Sequence, residues 1–370
     1  VKRILLSGGG TGGHIYPALA IARAVKKRYP ECEIAYIGTE NGLESRIVPK
    51  EGNIRFYTVE IQGFKRSISW ENVNTITKFI RAVRKSKEYI QEFQPDVVIG
   101  TGGYVSGPAV YAAHQLGVPT LIHEQNVVLG LTTKFLSRFV DVVAISLEES
   151  QKYLSKANRI VFTGNPRATE VVQANAAAGR KSLGITDPTR PIILFFGGSR
   201  GAKAINEAVL QMIPHIKEMP DVQFVYVTGE VHYEWIRSQI DVEEYPNLYI
   251  YPFIYNMPDV LAATYLVVGR AGASTLAELT SLGLPSILIP SPYVTNNHQE
   301  ANACWLEEQG ASKMLLESEC TGENLWREVK HLIENPEKHY VMSEAARRLG
   351  RPQAANVIVD ELEKISLARV

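Results

Sequence analysis

Short, almost unbroken apolar runs alternate along this chain with longer amphipathic ones. That is the pattern of parallel strands, buried on both faces, joined by helical crossovers. In the first half the runs predict strands at 3–7, 34–38, 96–100, 120–123, 141–146 and 159–164. In the second half they predict strands at 191–198, 223–229, 248–253, 265–270, 286–290 and 312–316. Helical periodicity follows most of them, at 17–28, 71–92, 203–217, 274–282, 297–309 and 322–334. A closing stretch after 334–340 reads as helical to the end, interrupted by Pro352, and 171–179 reads as a loop or a frayed helix end.

The two halves open alike: strand, glycine-rich turn, helix. "ILLSGGGTGGH" begins the first and "ILFFGGSRGAK" the second. Each half has a later copy, "VVIGTGGYVSGP" (97–108) and "VVGRAGASTLAE" (267–278). Four such junctions, two per half, predict an α/β fold of two Rossmann-like domains facing each other across a cleft. The first boundary is expected near "TGNPR" (163–167), giving domains of 1–163 and 164–340.

Composition adds bounds. With 370 residues, 45% apolar and 21% charged, the chain is of ordinary globular make-up and long enough for two cores. A formal net charge of zero argues against a dedicated nucleic-acid binder. Cys32, Cys304 and Cys320 have neither disulfide-framework nor metal-ligand spacing, which suits a reducing compartment. No run approaches the ~20 apolar residues of a membrane span, so the expectation is a cytoplasmic protein that meets any membrane from outside.

Glycine at a strand-to-helix turn lets backbone N–H groups approach an anion, and the helix N-terminus behind it adds partial positive charge. Four such turns at strand ends point to a diphosphate-bearing ligand. Gly8, Gly10 and Gly13 satisfy the dinucleotide fingerprint, with Glu40 as a loose candidate for its ribose-binding acid. Against that label stand Thr11 and His14 on the same loop and the second set of glycines. His14 falls on the first turn of the following helix, where the dipole favours the neutral ring a general base needs. "HEQN" (123–126) lies at a strand end, and Glu124 is the other possible base, or the partner that orients one. In the second half, Ser199 offers a hydroxyl to a diphosphate, and Thr275 lies on the turn with Glu278 one helical step on, suited to ribose hydroxyls. His298, Gln299 and Asn302 begin a helix whose side chains suit sugar hydroxyls. No Asp-x-Asp pair stands out as a metal site, so metal-independent chemistry with no cofactor is expected.

These segments, "GGGTGGHIYPALA", "GTGGYVSGPAV", "HEQN", "GNPR", "GGSRGA", "RAGASTLAEL" and "HQEANA", resemble in order and spacing the bacterial cell-wall glycosyltransferases of the MurG type. The resemblance spans nearly the whole chain. It implies a GT-B fold and an inverting transfer of N-acetylglucosamine from UDP-GlcNAc. The implied acceptor is the C4 hydroxyl of polyprenyl-diphosphate-linked N-acetylmuramoyl-pentapeptide, lipid I, which becomes lipid II in peptidoglycan synthesis. It further implies a C-terminal UDP-GlcNAc domain, an N-terminal acceptor domain, and a last helix (about 341–370) returning to the N-terminal domain. Thr11, Gly12, Gly13, His14 and Asn126 resemble residues that close over the donor sugar. Ser199 and Thr275 resemble diphosphate contacts and Glu278 a ribose contact. Ile254 resembles a residue whose backbone meets the uracil, and Gln299 a sugar-reading glutamine. Arg167 resembles a phosphate or donor-sugar arginine, although some members carry theirs one position later, and this chain has His298 where others have a first glutamine.

Residues 64–87 are basic and apolar by turns, with Lys65, Arg66, Lys78, Arg81, Arg84, Lys85 and Lys87 interleaved with Trp70, Val73, Ile76, Phe79, Ile80 and Val83. That pattern fits a core stripe with a solvated basic back, and equally an interfacial anchor for anionic lipid. The resemblance favours the second reading, with Trp70, Phe79, Arg81 and Arg84 in contact and the enzyme peripheral on the cytoplasmic face of the membrane. Three other readings remain at this stage: another UDP-GlcNAc enzyme, such as a 2-epimerase or a different lipid glycosyltransferase; an NAD-dependent oxidoreductase; and a non-catalytic sugar-nucleotide scaffold.

Overall fold

The computed structural model describes residues 1–63, 70–198 and 200–368, with the backbone alone for 70–73. The chain divides into two compact units, Val1–Thr169 with Gln353–Val370, and Glu170–Pro352. The return to the first unit thus begins at Gln353, later than the expected 341. The helix Pro336–Leu349 stays with the second unit, where Ser343 Oγ donates to Gly283 O at 2.6 Å.

Among the described residues the first unit is built on seven parallel strands: β1 (Arg3–Gly8), β2 (Glu33–Gly38), β3 (Ile54–Thr58), β4 (Val97–Gly102), β5 (Thr120–Glu124), β6 (Val142–Ile145) and β7 (Ile160–Phe162). Their order is β3-β2-β1-β4-β5-β6-β7, so the winding reverses between β1 and β4. Both faces are covered, as the unbroken apolar runs require. One core gathers Ile4, Leu6, Ile99 and Leu121 with Ile15 and Leu19 of the helix Gly12–Arg28 and Ile358 and Leu362 of the last helix, Ala354–Leu367. The other gathers Leu5, Ile37, Val98 and Ile122 with Ala109 and Val110 of the helix Ser106–Gln115 and Ile90 and Phe93 of the helix Trp70–Phe93. The last helix is pinned at its exposed edge by Arg28, which pairs with Asp360 and Glu363.

The second unit has six parallel strands: β8 (Ile192–Phe196), β9 (Gln223–Val227), β10 (Leu248–Tyr251), β11 (Leu266–Gly269), β12 (Ser286–Leu288) and β13 (Lys313–Met314). The order β10-β9-β8-β11-β12-β13 repeats the first unit's winding, with its reversal between β8 and β11. In open parallel sheets ligands bind outside the strand C-termini at such a reversal. The four glycine junctions are the loops that follow β1, β4, β8 and β11, so each pair brackets a reversal.

Three elements differ from the sequence expectation. β3 was not anticipated, because Arg55 and Thr58 break its apolar run, and as an edge strand it needs only one covered face. The first helix starts at Gly12 rather than Pro17, which sits inside it. Within 171–179 lies the start of a short helix, Ala176–Ser182, whose Asn175 cap accepts from Ala178 N at 3.1 Å.

Candidate active site

At the first unit's reversal, the loop after β1 lies against the loop after β4. Gly9 N donates to Gly102 O at 3.1 Å, and a Cβ on Gly103 would stand 2.3 Å from Gly9 O, so the two turns are in backbone contact. His14 is the third residue of its helix and partly exposed. Its Nδ1 lies 2.9 Å from Gly9 O. A carbonyl can only accept, so Nδ1 carries a proton, and in the neutral ring Nε2 is the nitrogen with the lone pair. Gly102, at φ +113°, lies under the ring. Thr101 Oγ1 donates to His14 O at 2.7 Å and fixes the helix turn that carries it.

The "HEQN" side chains divide their work. Buried Glu124 accepts from Asn126 N and Gly130 N, both at 3.1 Å, and holds the loop that displays Asn126. Both oxygens of the second candidate base are therefore engaged by its own loop. His123 is buried, and loss of hydration lowers its pKa from 6.5 to about 4, so it is neutral. It donates through Nε2 to Gly164 O at 2.9 Å, and its Nδ1 lies 3.0 Å from Gln125 Nε2. Gln125 Nε2 also reaches Thr101 O at 2.8 Å. The ends of β4 and β5 and the "GNPR" turn are thereby tied together. Arg167 opens the short helix that follows this turn, its guanidinium 5.6 Å from the Tyr16 ring centre.

A residue that sequence reasoning passed over is Glu44. It is fully buried beneath the first glycine loop, accepting from Gly10 N at 3.1 Å, Thr39 N at 2.9 Å and Thr39 Oγ1 at 2.7 Å. Side chains on Gly9, Gly38 or Gly42 would collide with it. The dinucleotide fingerprint asks for an acid after the second strand; that rule was satisfied loosely by Glu40, when Glu44 is the carboxylate under the loop. Because it takes an N–H that a pyrophosphate would need, it stands against a dinucleotide in this loop.

In the second unit, the turn after β8 runs through Gly198 (φ +90°) and Gly201 (φ +76°). A Cβ on Gly201 would lie 2.1 Å from Thr228 O, so the turn is packed flush on the end of β9. Ser199 lies outside the described residues. After β11, Gly272 caps the helix Ala273–Leu282, with Thr275 and Glu278 both half-buried on it. Arg270, paired with Glu317 at 2.6 Å and donating to Ile289 O at 3.1 Å, fixes the start of that turn. Gln299, in the first turn of the helix His298–Glu308, accepts from Ser291 N at 2.9 Å through Oε1, which leaves its NH2 group as the donor end. Asn302 corrects an expectation: it is fully buried and donates to Ala271 O at 3.2 Å, so it braces the 270–275 turn rather than facing a sugar. Ile254 is buried in the loop after β10.

On the helix Trp70–Phe93, Ile76 and Ile80 are exposed (50% and 57%) beside exposed Arg81 and Arg84. Phe79 is half-buried, its ring edge-on to Phe135 at 5.9 Å. The side chain of Trp70 lies outside the described residues, as do Lys65 and Arg66. No helix among the described residues is long and apolar enough to cross a membrane.

Two Rossmann-type units, each with a glycine-bordered winding reversal, fit the class of nucleotide-sugar glycosyltransferases. The family models agree. That for the glycosyltransferase family 28 N-terminal domain matches residues 4–145, and that for the family 28 C-terminal domain matches 192–358. The chain belongs to glycosyltransferase family 28. It is 53% identical over 366 residues to the UDP-N-acetylglucosamine--N-acetylmuramyl-(pentapeptide) pyrophosphoryl-undecaprenol N-acetylglucosamine transferase of Halalkalibacterium halodurans, covering 98% of this chain and 100% of that one. A Bacillus cereus transferase of the same designation is 52% identical over 364 residues, covering 98% and 99%. Among solved structures, MurG of Acinetobacter baumannii superposes with a TM-score of 0.80 at 30% identity, covering 98% of this chain and 100% of that one. The UDP-GlcNAc 2-epimerase of Neisseria meningitidis shares the fold, with a TM-score of 0.69 at 16% identity over 98% and 100% of the two chains.

Proposed function

We propose that this enzyme transfers N-acetylglucosamine from UDP-GlcNAc to the C4 hydroxyl of lipid I, with inversion, to give lipid II. The observation that carries the reading is the full-length 53% identity to a transferase of that name, joined to the chemistry of His14. The epimerase alternative rests on fold alone, at 16% identity.

In this reading the first unit holds the acceptor. His14 Nε2 takes the proton of the C4 hydroxyl as that oxygen bonds to C1 of the donor sugar. The bond from C1 to the β-phosphate oxygen breaks on the opposite face and UDP leaves with the electron pair. Glu124 acts through Asn126, by holding its loop. The second unit holds the donor. The helix N-terminus at Gly272–Thr275 and Ser199 offset the growing charge on the departing diphosphate, Glu278 accepts from the ribose hydroxyls, Gln299 donates to the sugar, and the Ile254 backbone meets the uracil. Thr11, Gly12, Gly13 and Arg167 complete the sugar and phosphate contacts. Ile76 and Ile80, with Arg81 and Arg84, rest on the membrane surface that carries the acceptor; Phe79, packed inward, supports them.

The test is transfer of labelled GlcNAc to purified lipid I by the wild type and by His14→Gln. A general base contributes ~10²–10⁴-fold, so the variant should lose kcat by that factor and keep the donor KM. UDP release that proceeds equally well without lipid I would overturn the function. Wild-type turnover by His14→Gln would overturn the assignment of the base.

A further inference from the structure

Beside the acceptor loops lies an apolar hollow of about 310 Å³. Ile61, Phe79, Tyr104, Gly107, Leu131 and Phe135 line it. Gln62 shows it only its methylene stem, since its amide donates to Thr75 Oγ1 at 2.9 Å and accepts from Lys78 Nζ at 3.1 Å. Tyr104 follows directly on Gly103, which is in contact with Gly9, so one wall of the hollow is continuous with the loop that orients His14. On its outer side Leu131 and Phe135 are 58% and 39% exposed, which the core of the unit does not explain. Past Phe79 a second hollow of about 330 Å³ continues along Ile80 and Val83 to Arg84 and Lys87. The two hollows have Phe79 in common, and together they border the loop that carries Tyr104 and the basic, apolar helix face.

We propose that the hollow beside Tyr104 holds the isoprene units nearest the diphosphate of the acceptor. This rests on the reading of lipid I as acceptor. The occupant must be apolar, because a polar peptide stem would leave its amides and charges unpaired against this lining. It must also be joined to the acceptor, because the hollow adjoins the acceptor loops. At the packing density of organic matter the space accommodates about two five-carbon units. The pocket therefore selects for the head of the lipid chain, and the exposed Ile76 and Ile80 deal with the bilayer.

The test uses the full chain in detergent-free buffer without vesicles, with two diphosphate esters of muramoyl-pentapeptide, one carrying a methyl group and one a two-isoprene chain. The wild type should show an acceptor KM ~30-fold lower for the isoprenoid ester, in keeping with partial burial of ten carbons. Gly107→Leu fills the hollow, since an added Cβ there already touches Phe79 and Thr132 at 3.4 and 3.5 Å. Leu131→Ser removes an exposed wall and leaves the core intact. Each should shrink the preference to within ~3-fold, with kcat, the donor KM and sedimentation with anionic vesicles unchanged. An undiminished preference in both variants, equal KM increases for both esters, or lost vesicle binding with the preference kept would overturn the pocket. A wild type that transfers to both esters without preference would do the same. A wild type that transfers to neither overturns the parent reading, and the pocket falls with it.

Discussion

Gly102→Ala tests whether the first unit is built around the placement of one imidazole. Gly102 adopts φ +113°, and a Cβ there would stand 2.6 Å from His14 Cδ2 and 2.9 Å from Nε2. Ordinary carbon contacts begin at about 3.5 Å, so the ring must retreat by roughly 1 Å. It has little freedom to do so while Nδ1 stays on Gly9 O and Thr101 holds the helix turn. A misplacement of ~1 Å in a reacting group costs ~10²-fold in rate. The alanine also adds backbone strain of about 1–3 kcal/mol, which by itself is a stability effect. Gly52→Ala separates the two. Gly52 has φ 67° and ψ 157°, conformational space equally reserved for glycine, yet a Cβ there meets nothing within 4 Å. Urea unfolding should show both variants destabilised by about 1–3 kcal/mol. In transfer assays at saturating lipid I, only Gly102→Ala should lose kcat, by ~100-fold, with the UDP-GlcNAc KM unchanged. Full activity in Gly102→Ala, or an equal loss in Gly52→Ala, refutes the argument.

His123 and Glu44 give two further tests. His123 has a folded pKa of about 4 against 6.5 when unfolded, so below pH 6.5 the unfolded chain binds the extra proton. Its contribution to stability is complete above pH 6.5 and is lost as pH falls toward 4, reaching about 2 kcal/mol at pH 5. Urea titrations at pH 7.5 and 5.0 should therefore show a steeper acid loss in the wild type than in His123→Asn; parallel losses would refute it. Glu44→Ala removes the acceptor of three part-buried hydrogen bonds and should cost about 3 kcal/mol, roughly 1 kcal/mol each, while Glu44→Gln, which keeps one acceptor oxygen, should cost less. Equal midpoints for the two variants would show that the carboxylate does not hold the loop.

Most of the scaffold was legible because parallel strands buried on both faces leave an unmistakable apolar run; all twelve anticipated strands form. The thirteenth, β3, escaped because an edge strand with one wet face needs no such run. Membership of the glycosyltransferase family was legible too, in glycine motifs whose order and spacing are written locally. Side-chain duties were harder. His123, Glu124 and Gln125 read as a reactive cluster at a strand end, yet they point into the unit and spend their polar atoms on Gly164, Asn126, Gly130 and Thr101. Asn302, one helical turn from the start of its helix, reads in the sequence as a sugar contact because burial cannot be inferred from a polar name. Nothing near Glu44 in sequence marks it as buried, because the loop covering it is more than thirty residues away.

Glu44 also explains how two junctions of the same pattern come to suit different chemistry. After β1 and after β8 the chain passes through glycines into a helix, and both helix N-termini carry partial positive charge. Beneath the first turn the buried Glu44 side chain takes up Gly10 N–H, so that donor is no longer open to an anion. Beneath the second, the corresponding strand end offers Thr228 and Gly229, and the nearest carboxylate on that stretch, Glu230, is exposed to water. A diphosphate is therefore better served by the second loop, and a neutral hydroxyl waiting for a base is better served by the first. Glycine spacing alone does not say which N–H groups stay open; the side chains that follow the neighbouring strand decide it. That difference, rather than the glycines common to the two loops, makes the second the better anion site.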